Sequence, residues 1–209
     1  MTTTLSVATL FHNLLPTDLD PEASLSAAHC VNTCYYNRTC ASVFYDRSRK
    51  LCYQTDLWFD EAVAGMIKQP SVSYITFMRS ECPENWIYHK STGKCFYAAN
   101  ETVTNAAAIA YCALYGGRLF NIYSAEEDRI PYTLTLRYDD GFWIGMLWDG
   151  SNWYWHEGSE ISYTNWNDDI GTRTCVRYSK SALKWRTSNC EVDKRTLCEV
   201  VLRANYCST

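Results

Sequence analysis

Hydrophobic and polar positions alternate in short segments whose period changes repeatedly along the chain. Ala27, Cys30, Val31 and Cys34 recur at helical spacing on one face, and Asp20-Pro21-Glu22 with Ser24 or Ser26 reads as the start of that helix. Residues 41–45 and 51–53 read as strands about a polar turn at 46–50, and 73–78 as a further strand. A hairpin opens at Glu81-Cys82-Pro83-Glu84-Asn85-Trp86 and closes near 93–97. Thr104 is placed to cap an alanine-rich helix over 105–115 that ends at Gly116-Gly117, and Ser124 caps a second helix. Phe142-Trp143-Ile144-Gly145-Met146 reads as a buried strand. Asp149-Gly150-Ser151-Asn152 is a turn signal, and Trp153-Tyr154-Trp155 follows with period-2 alternation. Residues 174–178 and 195–201 complete the strands. This mixture of short helices and strands predicts an α+β class.

The chain has 209 residues, enough for one large or two small domains. A net charge of −4 excludes the strongly basic stripe of a nucleic-acid binder. No apolar run approaches the ~20 residues that span a bilayer. Met1 to Leu10 lacks the basic region and continuous apolar core of a signal peptide, so Met1 reads as the start of a processed or recombinant chain.

Eleven cysteines change the picture most. They suit thiols of a cytosolic metalloprotein or disulfides of a secreted chain. Zinc sites favour Cys-x-x-Cys pairs with partner histidines; no such pair occurs, and His12, His29, His89 and His156 are scattered. Two glycosylation acceptors, at Asn37 and Asn100, fit an extracellular chain, and disulfides are the expectation. Cys30, Cys34, Cys40 and Cys52 form one group, and Cys82, Cys95, Cys112, Cys175, Cys190 and Cys198 a second. Cys207 is left over in the tail. The groups predict a domain over 1–79 and another over 80–209, joined by the short polar Arg79-Ser80-Glu81. In the first, cysteines at i and i+4 on the helix face can staple it to a neighbouring sheet.

The Cys30-x3-Cys34-x5-Cys40 run, an apolar strand and then Cys52 resemble the core of a PAN/apple domain over about residues 5–79. That resemblance implies Cys30–Cys52 and Cys34–Cys40 bridges, and no cysteine is present for the third disulfide that some apple domains carry. Cys82-Pro83 with Trp86, Cys112, Trp143-Ile144-Gly145-Met146, Trp153-x-Trp155 and Trp185-x4-Cys190-x7-Cys198 resemble the long form of the C-type lectin-like domain over about 82–201. It implies Cys82–Cys95, Cys112–Cys198 and Cys175–Cys190. Closing the long Cys112–Cys198 loop stabilises by about 4–5 kcal/mol on chain-entropy arithmetic.

Sugar-binding members of that family hold calcium with a Glu-Pro-Asn or Gln-Pro-Asp tripeptide, a glutamate two residues before the third-strand cysteine, and Trp-Asn-Asp. Here no proline follows Pro131, the glutamate position is Arg173, and the last motif reads Trp185-Arg186-Thr187. Guanidinium groups stand where a hard dication needs oxygen ligands, so no calcium and no other metal or cofactor is expected. Trp166-Asn167-Asp168 spells the motif but lies before Cys175; a polar loop tip anchored by a buried tryptophan outweighs a metal site there, although Asp168 and Asp169 could contribute to a weak, displaced one.

Ten acidic residues between 126 and 169 face only Arg129 and Arg137, whereas seven basic residues between 173 and 195 face Glu191 and Asp193. Arginine forks bind carboxylate or sulfate, so Arg173 and Arg186 are candidates for an anionic glycan or an acidic protein surface; solvation of a strand-loop-strand edge is the weightier alternative. Trp86, Trp143, Trp153 and Trp155 are expected in the core, and Trp148 and Trp166, near loops, are better ligand candidates.

No Gly-x-Ser-x-Gly elbow, His-Glu-x-x-His helix or phosphate loop occurs, and no catalytic residue is expected. The sequence therefore predicts a secreted, non-catalytic recognition protein that binds a glycan or an extracellular protein without calcium. The alternative is a structural extracellular-matrix or assembly component linked through domain contacts and an inter-chain Cys207 disulfide, forming a homo- or hetero-oligomer.

Overall fold

A computed structural model describes residues 5–59, 63–138, 141–167 and 171–202. The chain divides into two compact units, 1–93 and 94–209.

In the first unit, β1 (Leu5–Pro16), β2 (Pro21–Ala23), β3 (Ser42–Asp46), β4 (Leu51–Thr55) and β5 (Met66–Arg79) form an antiparallel sheet in the order β1-β5-β3-β4-β2. Helix α1 (Ala27–Tyr36) begins at Ser26, whose side chain accepts the His29 N–H. Asp20 to Glu22 do not begin it, contrary to the sequence expectation. Pro21–Ala23 instead pairs with β4, because an extended backbone there completes the sheet edge. The sequence also gave no warning of β1. Two register shifts break its pairing with β5, and most of its side chains are exposed, so no clean alternation survives.

The core of this unit is aromatic: Phe44, Tyr53, Phe59 and Tyr74 pack with Leu15 and Val72. Cys30 and Cys34 face inward from α1; Cys30 is bonded to Cys52 on β4, and Cys34 to Cys40. A short strand, β6 (Ile87–His89), follows, and the ammonium of Lys90 reaches the carbonyls of Cys34, Tyr35 and Asn37. It thereby adds a cationic donor to carbonyls at the C-terminal end of the helix, with the favourable sign for the helix dipole.

The second unit contains β7 (Lys94–Val103), α2 (Asn105–Leu114), β8 (Arg118–Leu119), α3 (Ala125–Thr135), β9 (Phe142–Trp148), β10 (Trp153–Trp155), β11 (Cys175–Ser179), β12 (Lys184–Ser188) and β13 (Lys194–Val201). Its strands run in the order β12-β11-β9-β13-β7, with β10 on β9 and β8 on β13. The β13–β9 pairing is parallel and the other pairings are antiparallel. Thr104 caps α2 and Ser124 caps α3 through their side chains. Strand β12 escaped the sequence reading because its Lys-Trp-Arg-Thr-Ser pattern shows one large apolar residue, Trp185. Cys112 is bonded to Cys198, and Cys175 to Cys190. Cys82 and Cys95 are each disulfide-bonded.

A buried ionic cluster fixes the segments that lead into the long loop. Lys94 Nζ lies 2.8 Å from Glu127 and 3.0 Å from Glu199, and donates to the Asn121 carbonyl at 2.9 Å. Glu199 also takes Arg118 at 2.8 Å, and the second oxygen of Glu127 accepts the Tyr123 N–H. Burial pushes the Glu199 carboxyl up, and Lys94 and Arg118 oppose that. The lone ammonium between two buried carboxylates ties β7, β13 and the start of α3 together. Gly145 lets β9 pass close beside this region, since a Cβ there would lie 2.1 Å from Asn121 Oδ1 and 2.7 Å from the Leu119 carbonyl.

Candidate functional site

The turn between β9 and β10 builds the site. Asp149 Oδ1 accepts the N–H groups of Ser151 and Asn152 at 2.7 and 2.8 Å, and Gly150 takes the positive φ, +102°, that closes the turn. Those hydrogen bonds, Asn152 first, hold the Asp149 carboxyl below its ordinary range. The turn makes Trp148 and Trp153 direct cross-strand partners, with ring centroids 5.2 Å apart. Cross-strand aromatic pairs of this kind stabilise a hairpin and present a broad ring surface.

From this pair a ladder of rings descends into the unit. Trp153 lies 5.2 Å from Trp166, Trp166 lies 5.8 Å from Trp185, and Trp185 lies 5.6 Å from Trp155 and 5.7 Å from Tyr163. At the bottom, Trp185 donates its Nε1–H to Asp128 Oδ1 at 2.8 Å, and Asn165 donates to Oδ2. Burial pushes the Asp128 carboxyl up, and these two donors oppose the shift. Trp185 is fully buried, whereas Trp148 at the top is 36% exposed.

The open end of the ladder is a cleft of about 370 Å³ lined by Trp148, Trp153, Gly171, Thr172 and Arg173. Gly171 has φ +63°, and a Cβ there would meet Thr187 Oγ1 at 2.8 Å, so a glycine is needed for the chain to pass over β12. The cleft offers ring faces, a hydroxyl and an exposed guanidinium: a surface for stacking combined with a forked cation.

The sequence candidates distribute unevenly over this geometry. Trp148 and Arg173 line the cleft, and Trp166 supports it from below through Trp153. Asn167 lies beside β12, where its N–H donates to the Trp185 carbonyl at 2.9 Å, and Trp166 forms a parallel bridge to Trp185. The Trp166-Asn167 stretch therefore runs alongside Trp185-Arg186, a neighbourhood that its distance in sequence does not announce. Arg186 stands opposite Arg177 on β11, whereas Arg173 lies before that strand, at the cleft. Asp168, Asp169 and Cys207 lie outside the described residues. Asn37 is exposed after α1, with Thr39 donating both N–H and hydroxyl to its Oδ1, and Asn100 is exposed on β7.

Sequence reasoning missed Trp153, which it assigned to the core, and Gly171 and Thr172. The signal for Trp153 was available: the turn at 149–152 puts residue 153 opposite 148, on the same face of the hairpin. Nothing local marks Gly171 and Thr172, which reach the cleft by the path of a long loop.

Arg173 is a cation at the lip of the cleft, Arg186 faces another arginine, and Thr187 follows it. Among the described residues no group of three His, Cys, Asp or Glu side chains is arranged to hold a metal.

A two-helix, mixed-sheet unit closed by the Cys112–Cys198 bridge and opening through a long loop has the organisation of a lectin-type recognition domain. Residues 101–200 match the family model of the lectin C-type domain, and the C-terminal region is a C-type lectin domain, disulfide-rich and mixed in helix and sheet. The chain is similar to C-type lectin 16 of Crotalus adamanteus, 29% identical over 126 residues, 57% of this chain and 81% of that protein. It is 28% identical over 127 residues to killer cell lectin-like receptor subfamily B member 1A of Rattus norvegicus, and the match spans 55% of that receptor's length. Among solved structures it is similar to the mouse scavenger receptor C-type lectin carbohydrate-recognition domain, with 27% identity, a TM-score of 0.52, and coverage of 59% of this chain and 98% of that one. A calcium-independent type II antifreeze protein shares the fold, with a TM-score of 0.51 at 24% identity, over 57% of this chain and 94% of its own. These relatives are lectins, lectin-like receptors and fold neighbours. Among the described residues no helix is long and apolar enough to cross a membrane.

Proposed function

We propose that this chain is a secreted, non-catalytic recognition protein whose C-type lectin domain binds a glycan without calcium. The observation that carries the reading is the juxtaposition of the Trp148–Trp153 ring pair with Arg173 in one open cleft. Sugar rings stack on aromatic faces, and a guanidinium beside them selects a carboxylate or sulfate substituent through paired N–H donors. An anionic glycan is therefore the ligand class. The arginines at 173 and 186 supply positive charge at positions where the family places calcium ligands, so recognition there does not depend on the ion.

The five-stranded sheet and α1, which precede residue 80 within the N-terminal unit, form a PAN/apple-like domain, with the domain boundary at 79/80. Its support is the helix stapled to a five-stranded sheet by Cys30–Cys52, with Cys34–Cys40 at its end. Exposed sequons at Asn37 and Asn100 and the oxidised cysteines support an extracellular location and glycosylation.

A glycan array probed with and without chelator, using wild type, Trp148→Ala and Arg173→Ala, tests the proposal. Binding to sulfated or carboxylated glycans is expected to survive chelator and to fall in both variants. Loss of binding with chelator, or full binding by both variants, would overturn it.

A further inference from the structure

We propose that the bulge between β1 and β5 is an oxyanion-binding pocket in which His12, Arg47 and Ser71 receive a sulfate group, free or as the ester on a sugar. This inference concerns the N-terminal unit and does not rest on the reading of the lectin cleft.

The pocket is built by an irregularity in the sheet. Around the second register shift, His12 pairs with Ser73 and Leu14 with Lys68, so residues 69–72 of β5 stand opposite Asn13 alone. Both sides of the bulge bend through the left-handed region without glycine: Asn13 has φ +62° and Ser71 has φ +70°. Such backbone is unfavourable for residues with a side chain and persists where the surroundings hold it. Here Ser71 N–H donates to Asn13 Oδ1 at 3.2 Å, and the Ser71 carbonyl accepts Arg47 N–H at 3.0 Å, which locks the two bends together and to the start of the β3–β4 turn. Bulges re-aim side chains, and this one opens a cavity of about 330 Å³ lined by His12, Asn13, Arg47, Ser71, Val72 and Ser73.

The lining holds one guanidinium, one imidazole and two hydroxyls, and no carboxylate. Among the described residues the Arg47 guanidinium has no partner. The neighbouring carboxylate, Asp46, points the other way along the strand, is buried, and is committed to Ser48 and Arg49. With the Ser73 hydroxyl as donor to His12 Nδ1, 2.9 Å away, the ring is fixed and its own N–H lies on Nε2. Donors from the planar Arg47 fork, the His12 Nε2–H and the Ser71 hydroxyl come from different residues around the cavity. That spread suits a tetrahedral oxyanion better than a flat carboxylate, which one arginine fork satisfies alone.

Titration of the full-length, ¹⁵N-labelled protein with inorganic sulfate, a sulfated disaccharide and its unsulfated parent tests the proposal. Sulfate and the sulfated sugar are expected to shift the backbone amides of Asn13, Ser71 and Ser73 saturably, and the unsulfated parent to leave them in place. Loss of one charge-assisted hydrogen bond corresponds to about tenfold in affinity, which is the weakening expected for Arg47→Ala and for His12→Gln. Arg173→Ala should leave this titration unchanged. A response to the disaccharide alone, with the same sensitivity to both variants, would assign the ligand as the sugar ester. No saturable shift at these amides, equal response to the unsulfated sugar, or unchanged affinity in both variants would overturn the pocket. Arg47 is exposed, and circular dichroism of each variant confirms that the fold is intact.

Discussion

The indole of Trp185 donates to the buried carboxylate of Asp128 at 2.8 Å, and this bond anchors the inner end of the ring ladder whose outer end is Trp148. Trp185→Phe keeps the ring but removes the donor and leaves a buried acceptor short of a partner. We expect a loss of about 1–3 kcal/mol in chemical denaturation with disulfides intact. An unchanged midpoint would show that the bond contributes nothing.

The same pair sets a pH dependence. Burial raises the folded-state pKa of Asp128 above its ordinary value of 3.8. The folded state thus holds its proton more tightly than the unfolded chain. The corresponding stability is present below that value and is lost as pH rises through the raised one. Asp128→Asn cannot ionise, so its stability relative to wild type should climb between pH 4 and 7. A constant difference across that range would contradict the assignment.

Asp46 has the opposite sign. Burial pushes its carboxyl up, but hydrogen bonds from Ser48 and Arg49 override this and hold it at about 2. Its contribution is present above the ordinary value of 3.8 and is lost as pH falls towards 2. Because Arg49 is half exposed, solvent weakens the pair, and the loss should be no more than about 2 kcal/mol. Asp46→Asn should abolish this acid sensitivity in urea titrations at pH 5 and pH 2.5.

Lys94→Met would leave Glu127 and Glu199 facing each other without their shared cation. Breaking a buried ion pair by removing one partner costs about 3–5 kcal/mol, and we expect a fall in thermal midpoint to match. The ordering of β7, β13 and α3 should suffer with it, seen as faster amide exchange at Tyr123 and Glu127, whose mutual hydrogen bond depends on this cluster.

Trp148→Ala removes one ring of the cross-strand pair with Trp153 and should cost about 0.5–1.5 kcal/mol of stability while removing glycan binding. Trp185→Phe should cost stability and leave glycan binding in place at first order. Measuring both variants by denaturation and by binding separates the ligand surface from its support.

The sequence by itself determined the elements whose signals are local. Ser124 and Thr104 are helix caps because hydroxyl side chains accept the free N–H groups of a first turn. Cys30 and Cys34 face the core because i and i+4 share one side of a helix. Asp149-Gly150 closes a turn because glycine tolerates its positive φ. What only the tertiary structure decided is which distant residues meet. Arg173 joins Trp148 and Trp153 in one cleft, and Arg186 stands across from Arg177, because loop path and strand register, not charge type, set these neighbours. Trp166 stacks between Trp153 and Trp185, because the long loop returns to lie along β12. His12 and Arg47 line one pocket because a bulge, invisible to any periodic pattern, opens the sheet between them. Local hydrogen bonding and periodicity are short-range and leave a mark in sequence, whereas loop closure and register are settled by packing of the whole unit.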